Sequence, residues 1–238
     1  MKTTVTTILQ NYQPEFHKVV SFHPEKDSLL LMDFTKNNED ISEELVRDTQ
    51  RFANYINQKL RSANAKFGIG GYNEHRELYS RSRVFDSGAG EEPRRLHLGI
   101  DIWGRQYTAV MSPWDGIVHS FAFNNHFGDY GATLVLSHSI EDISFHTLYG
   151  HLSLNSIKNF REGENVRKGD IIGEFGIPME NGQWPPHLHF QVIEDMDVPT
   201  AIGRIGDYPG VCKLSEREKF LNNCPDPDII LQMMKYAK

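Results

Sequence analysis

Two cysteines in 238 residues, Cys212 and Cys224, are too few to staple a fold, and neither sits in a Cys-x-x-Cys or His-x-x-x-His spacing. No stretch of about 18 apolar residues occurs, which excludes a helical membrane span. A basic excess is also missing. The chain carries 25 Lys and Arg against 32 Asp and Glu, a net charge of −7, so nucleic acid is not expected as a partner. Local basic spots at Arg94-Arg95 and at Arg81 and Arg83 read as solvated surface. The N-terminus, Met1-Lys-Thr-Thr-Val-Thr-Thr, lacks the apolar core of a secretory signal. The chain is therefore expected in the cytoplasm if it begins where translation begins, and in the periplasm or outside the cell if a signal was removed.

What is present is enough apolar residue for a folded core, 39% of the chain with 14 Phe, 9 Tyr and 3 Trp. Residues 38 to 62 predict an amphipathic helix. Asp40-Ile-Ser-Glu43 resembles a capping box, and Leu45, Phe52, Ile56 and Leu60 share a face. Glycine and charge then fill 67–95, which reads as turns and loop. From about 97 to 195 short β runs alternate with turns: Thr108–Met111, Gly116–Phe123, Ala132–His138, Ile143–His151, Ile171–Phe175 and Leu188–Ile193. Six such runs predict a mainly β, predominantly antiparallel barrel or sandwich, with an N-terminal amphipathic helix and two short helices in the tail, α+β overall. The division expected is an N-terminal helical and loop extension over 1–84, a β domain over 85–198 and a C-terminal helical tail over 199–238.

The chemistry concentrates in histidine. His187-Leu-His189 opens the run His-Leu-His-Phe-Gln-Val-Ile, and alternation along a strand sends both imidazoles to one side. Among 11 His in this length, such a pair arises by chance roughly 0.5 times, so further ligands must join it. Two His-x-x-x-Asp pairs are available, His97/Asp101 and His138/Asp142. His138 runs from an apolar strand into a polar turn and reads as structural. His97 and Asp101 lie among Leu96, Leu98 and Trp103, with Gly99 allowing close approach, and read as ligands on one face of a strand. Buried imidazole and carboxylate need a compensating partner, which a cation supplies. Two nitrogens and an oxygen suit Zn²⁺, with a fourth position left for catalysis.

The order of five short motifs resembles the lysostaphin/LytM-type zinc endopeptidases: His97–Asp101, Ser112–Val118, Leu148–Ser153, Gly169–Gly173 and Pro186–Phe190. The resemblance covers about 97–194. It implies a β-sheet groove of the duplicated hybrid, lipoyl-like type, one Zn²⁺ per chain held by His97, Asp101 and His189, and a catalytic pair, His151 and His187. His187 would act as general base and His151 as donor to the oxyanion. The implied reaction is hydrolysis of peptide bonds in peptidoglycan-type or glycine-containing peptides, with a peptide or muropeptide as partner. The alternative is a catalytically silent zinc-containing module that binds peptide. In some relatives an upstream side chain occupies the open zinc position, and Asn73 and His75 are the candidates here. A sugar-transport phosphocarrier domain shares the hybrid motif, but it would leave His97 and Asp101 without a role.

Overall fold

The computed structural model describes residues 4–86, 90–197 and 206–238. Its strands are β1 Leu29–Leu31, β2 Phe67–Gly70, β3 Glu74–His75, β4 Leu96–His97, β5 Ile100–Trp103, β6 Ala109–Met111, β7 Gly116–Asn124, β8 Gly131–Ile140, β9 Ile143–Leu152, β10 Asn165–Val166, β11 Ile171–Glu174, β12 His187–Ile193 and β13 Val211–Cys212. Eight of them form one sheet in the order β1-β2-β5-β12-β9-β8-β7-β10. Every pairing is antiparallel except β1 with β2 at one edge, so the sheet is mixed. β6 with β11, and β3 with β4 and β13, make two small sheets beside it. The six strands predicted from alternation are all present. The predicted barrel or sandwich is instead this large sheet with two satellites, and its Gly-rich strand β2 arises in a stretch whose glycines read as turn.

Period two decides what each face carries. On β12, Leu188, Phe190 and Val192 enter the main core with Ile100 and Ile102 of β5, while His187, His189 and Gln191 turn to the opposite side with Asp101 and Trp103. All seven residues of β12 are buried, so the polar row lies inside the protein rather than in solvent. Polar groups so placed must find partners, and the site described below is where they find them.

A second core covers this polar row. The predicted helix of 38–62 is two helices, α1 Glu43–Arg47 and α2 Thr49–Ser62. Asp48 breaks the run by accepting from the Gln50 and Arg51 amides as the cap of α2. The first cap is Ser42, whose hydroxyl accepts from Leu45 N, and not the expected Asp40 box. Phe52, Ile56 and Leu60 of α2 are buried with Phe34, Trp103 and Trp184. Phe52 meets Trp103 at 6.0 Å and Trp184 at 6.4 Å edge-on, so the helix backs the site. The two tail helices are α3 Arg217–Asn223 and α4 Asp228–Leu231. No described helix is long and apolar enough to cross a membrane.

Of the basic spots read as solvated surface, Arg83 alone is exposed. Arg81 is buried, stacked 4.3 Å from the Trp184 ring centre and 4.6 Å from that of Phe127, and donates to Gln183 O. Arg95 is buried against Asp86. Guanidinium stacks on aromatic faces, and charge alone does not place it in water.

His138 is held away from Asp142, which is exposed at a turn. Its Nδ1–H donates to Asp115 O at 2.9 Å, and its Nε2 lies 2.7 Å from the Thr147 hydroxyl. Burial pushes its pKa down to about 4, and that of His187 likewise to about 4. The unfolded chain takes up these protons near pH 6.5, whereas the folded chain does so only near 4. Their contribution is therefore fully present above 6.5 and disappears as pH falls from 6.5 to 4, at roughly 3 kcal/mol per group. Denaturant midpoints of the metal-free protein should be flat above pH 7 and fall steeply below 6.5. A flat response down to pH 4.5 contradicts these buried neutral rings.

Candidate metal centre

The antiparallel register builds the site. His189 on β12 is the cross-strand partner of Asp101 on β5, and His187 that of Trp103. Directly opposed residues put their side chains on the same face within reach of one another. His97 comes from elsewhere. The chain breaks at Leu98-Gly99, so His97 ends β4 of the small sheet while Asp101 lies in the large one. The expectation of a single strand face for both residues is thus corrected: a turn, not alternation, brings them together. Gly99 makes the approach possible, since a Cβ there would lie 2.5 Å from His189 Cε1.

His97 Nε2 lies 2.8 Å from His189 Nδ1 and 3.3 Å from Asp101 Oδ1, and the latter two are 3.2 Å apart. All three side chains are buried, and among the described residues they are the one group of three or more His, Cys, Asp or Glu able to hold a metal ion. The outward atoms determine what the inward ones are. His97 Nδ1 donates to Gly71 O at 2.9 Å, and His189 Nε2 to Gln191 Oε1 at 2.9 Å. Gln191 is itself oriented, because its amide nitrogen donates to Pro209 O and to Cys224 Sγ. In the neutral rings the facing atoms, His97 Nε2 and His189 Nδ1, consequently carry lone pairs, and the carboxylate adds a third. Three acceptors converge with no proton between them. Burial and the nearby Arg76 charge depress the His97 pKa to about 3, so its ring stays neutral. Burial opposes ionisation of Asp101, yet the Arg76 guanidinium beside it outweighs burial and holds the carboxyl well below the usual range. This donor set of two neutral imidazoles and a carboxylate, each ring fixed by an outer hydrogen bond, fits a divalent borderline cation.

His151 and His187 stand beside it. Their rings stack at 4.1 Å, and His187 stacks on the other side against Trp103 at 4.0 Å. His151 has a left-handed backbone, φ 64°, where the pairing of β8 with β9 slips register. A bulge of this kind re-aims a side chain. His151 Nδ1 donates to Asn181 O and His187 Nδ1 to Pro185 O, both at 2.8 Å, which leaves Nε2 as the basic atom of each. Burial and the neighbouring His187 ring depress the His151 pKa far below the ordinary value. The five residues singled out in the sequence thus line one cavity of about 430 Å³, together with Tyr130, Trp184 and Arg94.

Neither upstream candidate for a blocking side chain enters this group. Asn73 Oδ1 accepts from Arg217 Nε at 2.9 Å, and His75 lies 3.7 Å from Glu77 on a partly exposed face. The residue of this segment that does line the cavity is Arg76, which the sequence did not single out. Gln191 was also missed, although its place two residues after His189 puts it on the same strand face.

Residues 95–200 match peptidase family M23. The DD-carboxypeptidase/endopeptidase Mpg of Neisseria meningitidis serogroup B is 36% identical over 98 residues, 41% of this chain and 20% of that protein. The L-Ala–D-Glu endopeptidase of Bacillus subtilis is 30% identical over 123 residues, 49% of this chain and 35% of that protein. The chain therefore spans about a fifth to a third of the length of these curated relatives. A solved zinc-containing peptidase from Vibrio cholerae is 29% identical, covers 41% of this chain and 27% of that one, and superimposes with a TM-score of 0.33. The stretch that matches peptidase family M23, residues 95–200, holds the acceptor triad and both stacked histidines.

Proposed function

We propose that this protein is a zinc endopeptidase acting on peptidoglycan-type peptides, with Zn²⁺ held by His97, Asp101 and His189. The observation that carries the reading is the meeting of three lone-pair atoms within 3.3 Å, each ring held in the tautomer that a cation requires. When bound, zinc with three protein ligands and an open position lowers the pKa of water to roughly 7 and polarises a carbonyl.

The protein's own residues supply the proton movements. His187 is neutral, and its Nε2 accepts a proton from the attacking water and later returns it to the leaving amine. The expected role of His151 as an oxyanion donor needs its imidazolium form, because Asn181 O fixes the only ring proton at Nδ1. Two rings stacked at 4.1 Å repel a second charge, so the pair carries one proton at a time. One proton taken and one returned is what peptide hydrolysis asks of it. The names of the relatives, a DD-carboxypeptidase/endopeptidase and an L-Ala–D-Glu endopeptidase, support the substrate class. The segments 1–84 and 199–238 are read here as flanks of the catalytic domain over 85–198.

The test is metal analysis of purified protein paired with mass spectrometry of cross-linked muropeptides and glycine-containing peptides after incubation. About one zinc per chain and new peptide termini are expected. Protein that stays metal-free after zinc supplementation removes the reading. Zinc-loaded protein that cuts nothing favours the silent binding module.

A further inference from the structure

We infer that Arg76 is a positioning residue that limits Asp101 to one ligating oxygen, a role that rests on the metal reading above. Arg76 follows β3 and is 1% exposed, with Tyr79 and the Phe34 ring packed around it. Its Nη1 lies 2.5 Å from Asp101 Oδ2, while Oδ1 is the oxygen facing the two imidazoles. The guanidinium is anchored on its other sides. Nε lies 2.5 Å from Glu74 Oε2, and Nη2 donates to Gly70 O at 3.3 Å. Its room depends on Gly71, where φ is 106° and a Cβ would lie 1.7 Å from Arg76 Nη2. The same glycine offers its carbonyl to His97. One short segment, Gly70 to Arg76, thereby orients two of the three acceptors.

A carboxylate can bind a metal through one oxygen or through both. With Oδ2 held by a planar fork, Oδ1 alone is presented, and the ion keeps a position free for substrate. Without the fork, Oδ2 is released toward the ion and fills that position. Lysine would not substitute fully, because its three donors sit on one nitrogen and cannot span Glu74 and Asp101 as the separate Nε and Nη1 of Arg76 do.

Cobalt(II) in place of zinc reads this directly, since its visible absorption is intense at four-coordination and weak above it. Wild type, Arg76→Gln, Arg76→Lys and Glu74→Gln are loaded with Co²⁺ and their spectra compared. Zinc affinity is measured alongside by competition with a chromophoric chelator, and folding is checked by circular dichroism. Arg76→Gln is expected to lose most of the band intensity and to weaken zinc by about 10- to 100-fold, as loss of outer partners commonly does. Arg76→Lys should fall between the two, and Glu74→Gln, which loosens the fork without removing it, should lose part of the intensity. Wild-type spectra and zinc affinities in both Arg76→Gln and Glu74→Gln overturn the inference and leave the metal reading intact. If Arg76→Gln does not fold, an unchanged Glu74→Gln spectrum overturns it alone. Wild type that binds neither cobalt nor zinc overturns the metal reading and this inference together.

Discussion

His189→Ala is expected to abolish metal binding, from about one zinc per chain to less than about 0.1, and to reduce peptide cleavage to background. Its ring is the central member of the trio, 2.8 Å from His97 and 3.2 Å from Asp101. Two remaining ligands cannot hold zinc against water at micromolar concentration. Among the three, His189 is the cleanest to remove. Asp101→Ala would take away one of the two carboxylates, Asp101 and Glu74, that pair the buried Arg76 guanidinium, so loss of fold would be confused with loss of metal. Thermal denaturation separates the two. A ligand at about 100 times its Kd stabilises the native state by roughly 2.7 kcal/mol. A chelator should therefore lower the melting temperature of wild type and leave that of His189→Ala unchanged. A variant that retains zinc, or a wild type whose melting ignores the chelator, removes the metal from the trio.

Much of this site was legible from residue order, and the gaps have physical causes. Alternation along β12 is enough to place His187 and His189 on one side, because β12 pairs with both neighbours without a register shift and keeps side-chain period two. His97 and Asp101 were found as a pair for a reason that did not hold. Their shared face was expected on one strand, whereas Leu98-Gly99 carries the chain from one sheet to another. The strands from 97 onward announce themselves by β-branched and aromatic runs. β2 does not, since Phe67-Gly-Ile-Gly70 has the glycine content of a turn and becomes a strand only because its neighbours, β5 and β1, pair with it. The split at Asp48 was hidden by an apolar period that continues across it. Arg76 had no local signal at all. A buried arginine is recognised by its partners, and here these lie 2 and 25 residues away in sequence, with the space it needs granted by Gly71.

His187→Ala should give the opposite dissociation: full zinc occupancy with cleavage reduced about 10²- to 10⁴-fold, the range a positioned general base contributes. None of the contacts that set the trio's tautomers passes through His187, whose ring proton goes to Pro185 O and whose faces meet Trp103 and His151. Metal affinity should therefore stay within a few-fold of wild type, and a cobalt spectrum should be unchanged. The pair makes a sharper test than either residue alone. If His151 and His187 share one proton, removing the second after the first should cost little, because residues acting as a unit are not additive. The double variant is expected within about 10-fold of the weaker single one. If the two instead act separately, one on the water and the other on the oxyanion, the losses multiply toward background. Stacking at 4.1 Å with both remaining ring nitrogens basic favours the shared proton, since a second protonation of the pair would place two imidazolium charges face to face inside the protein.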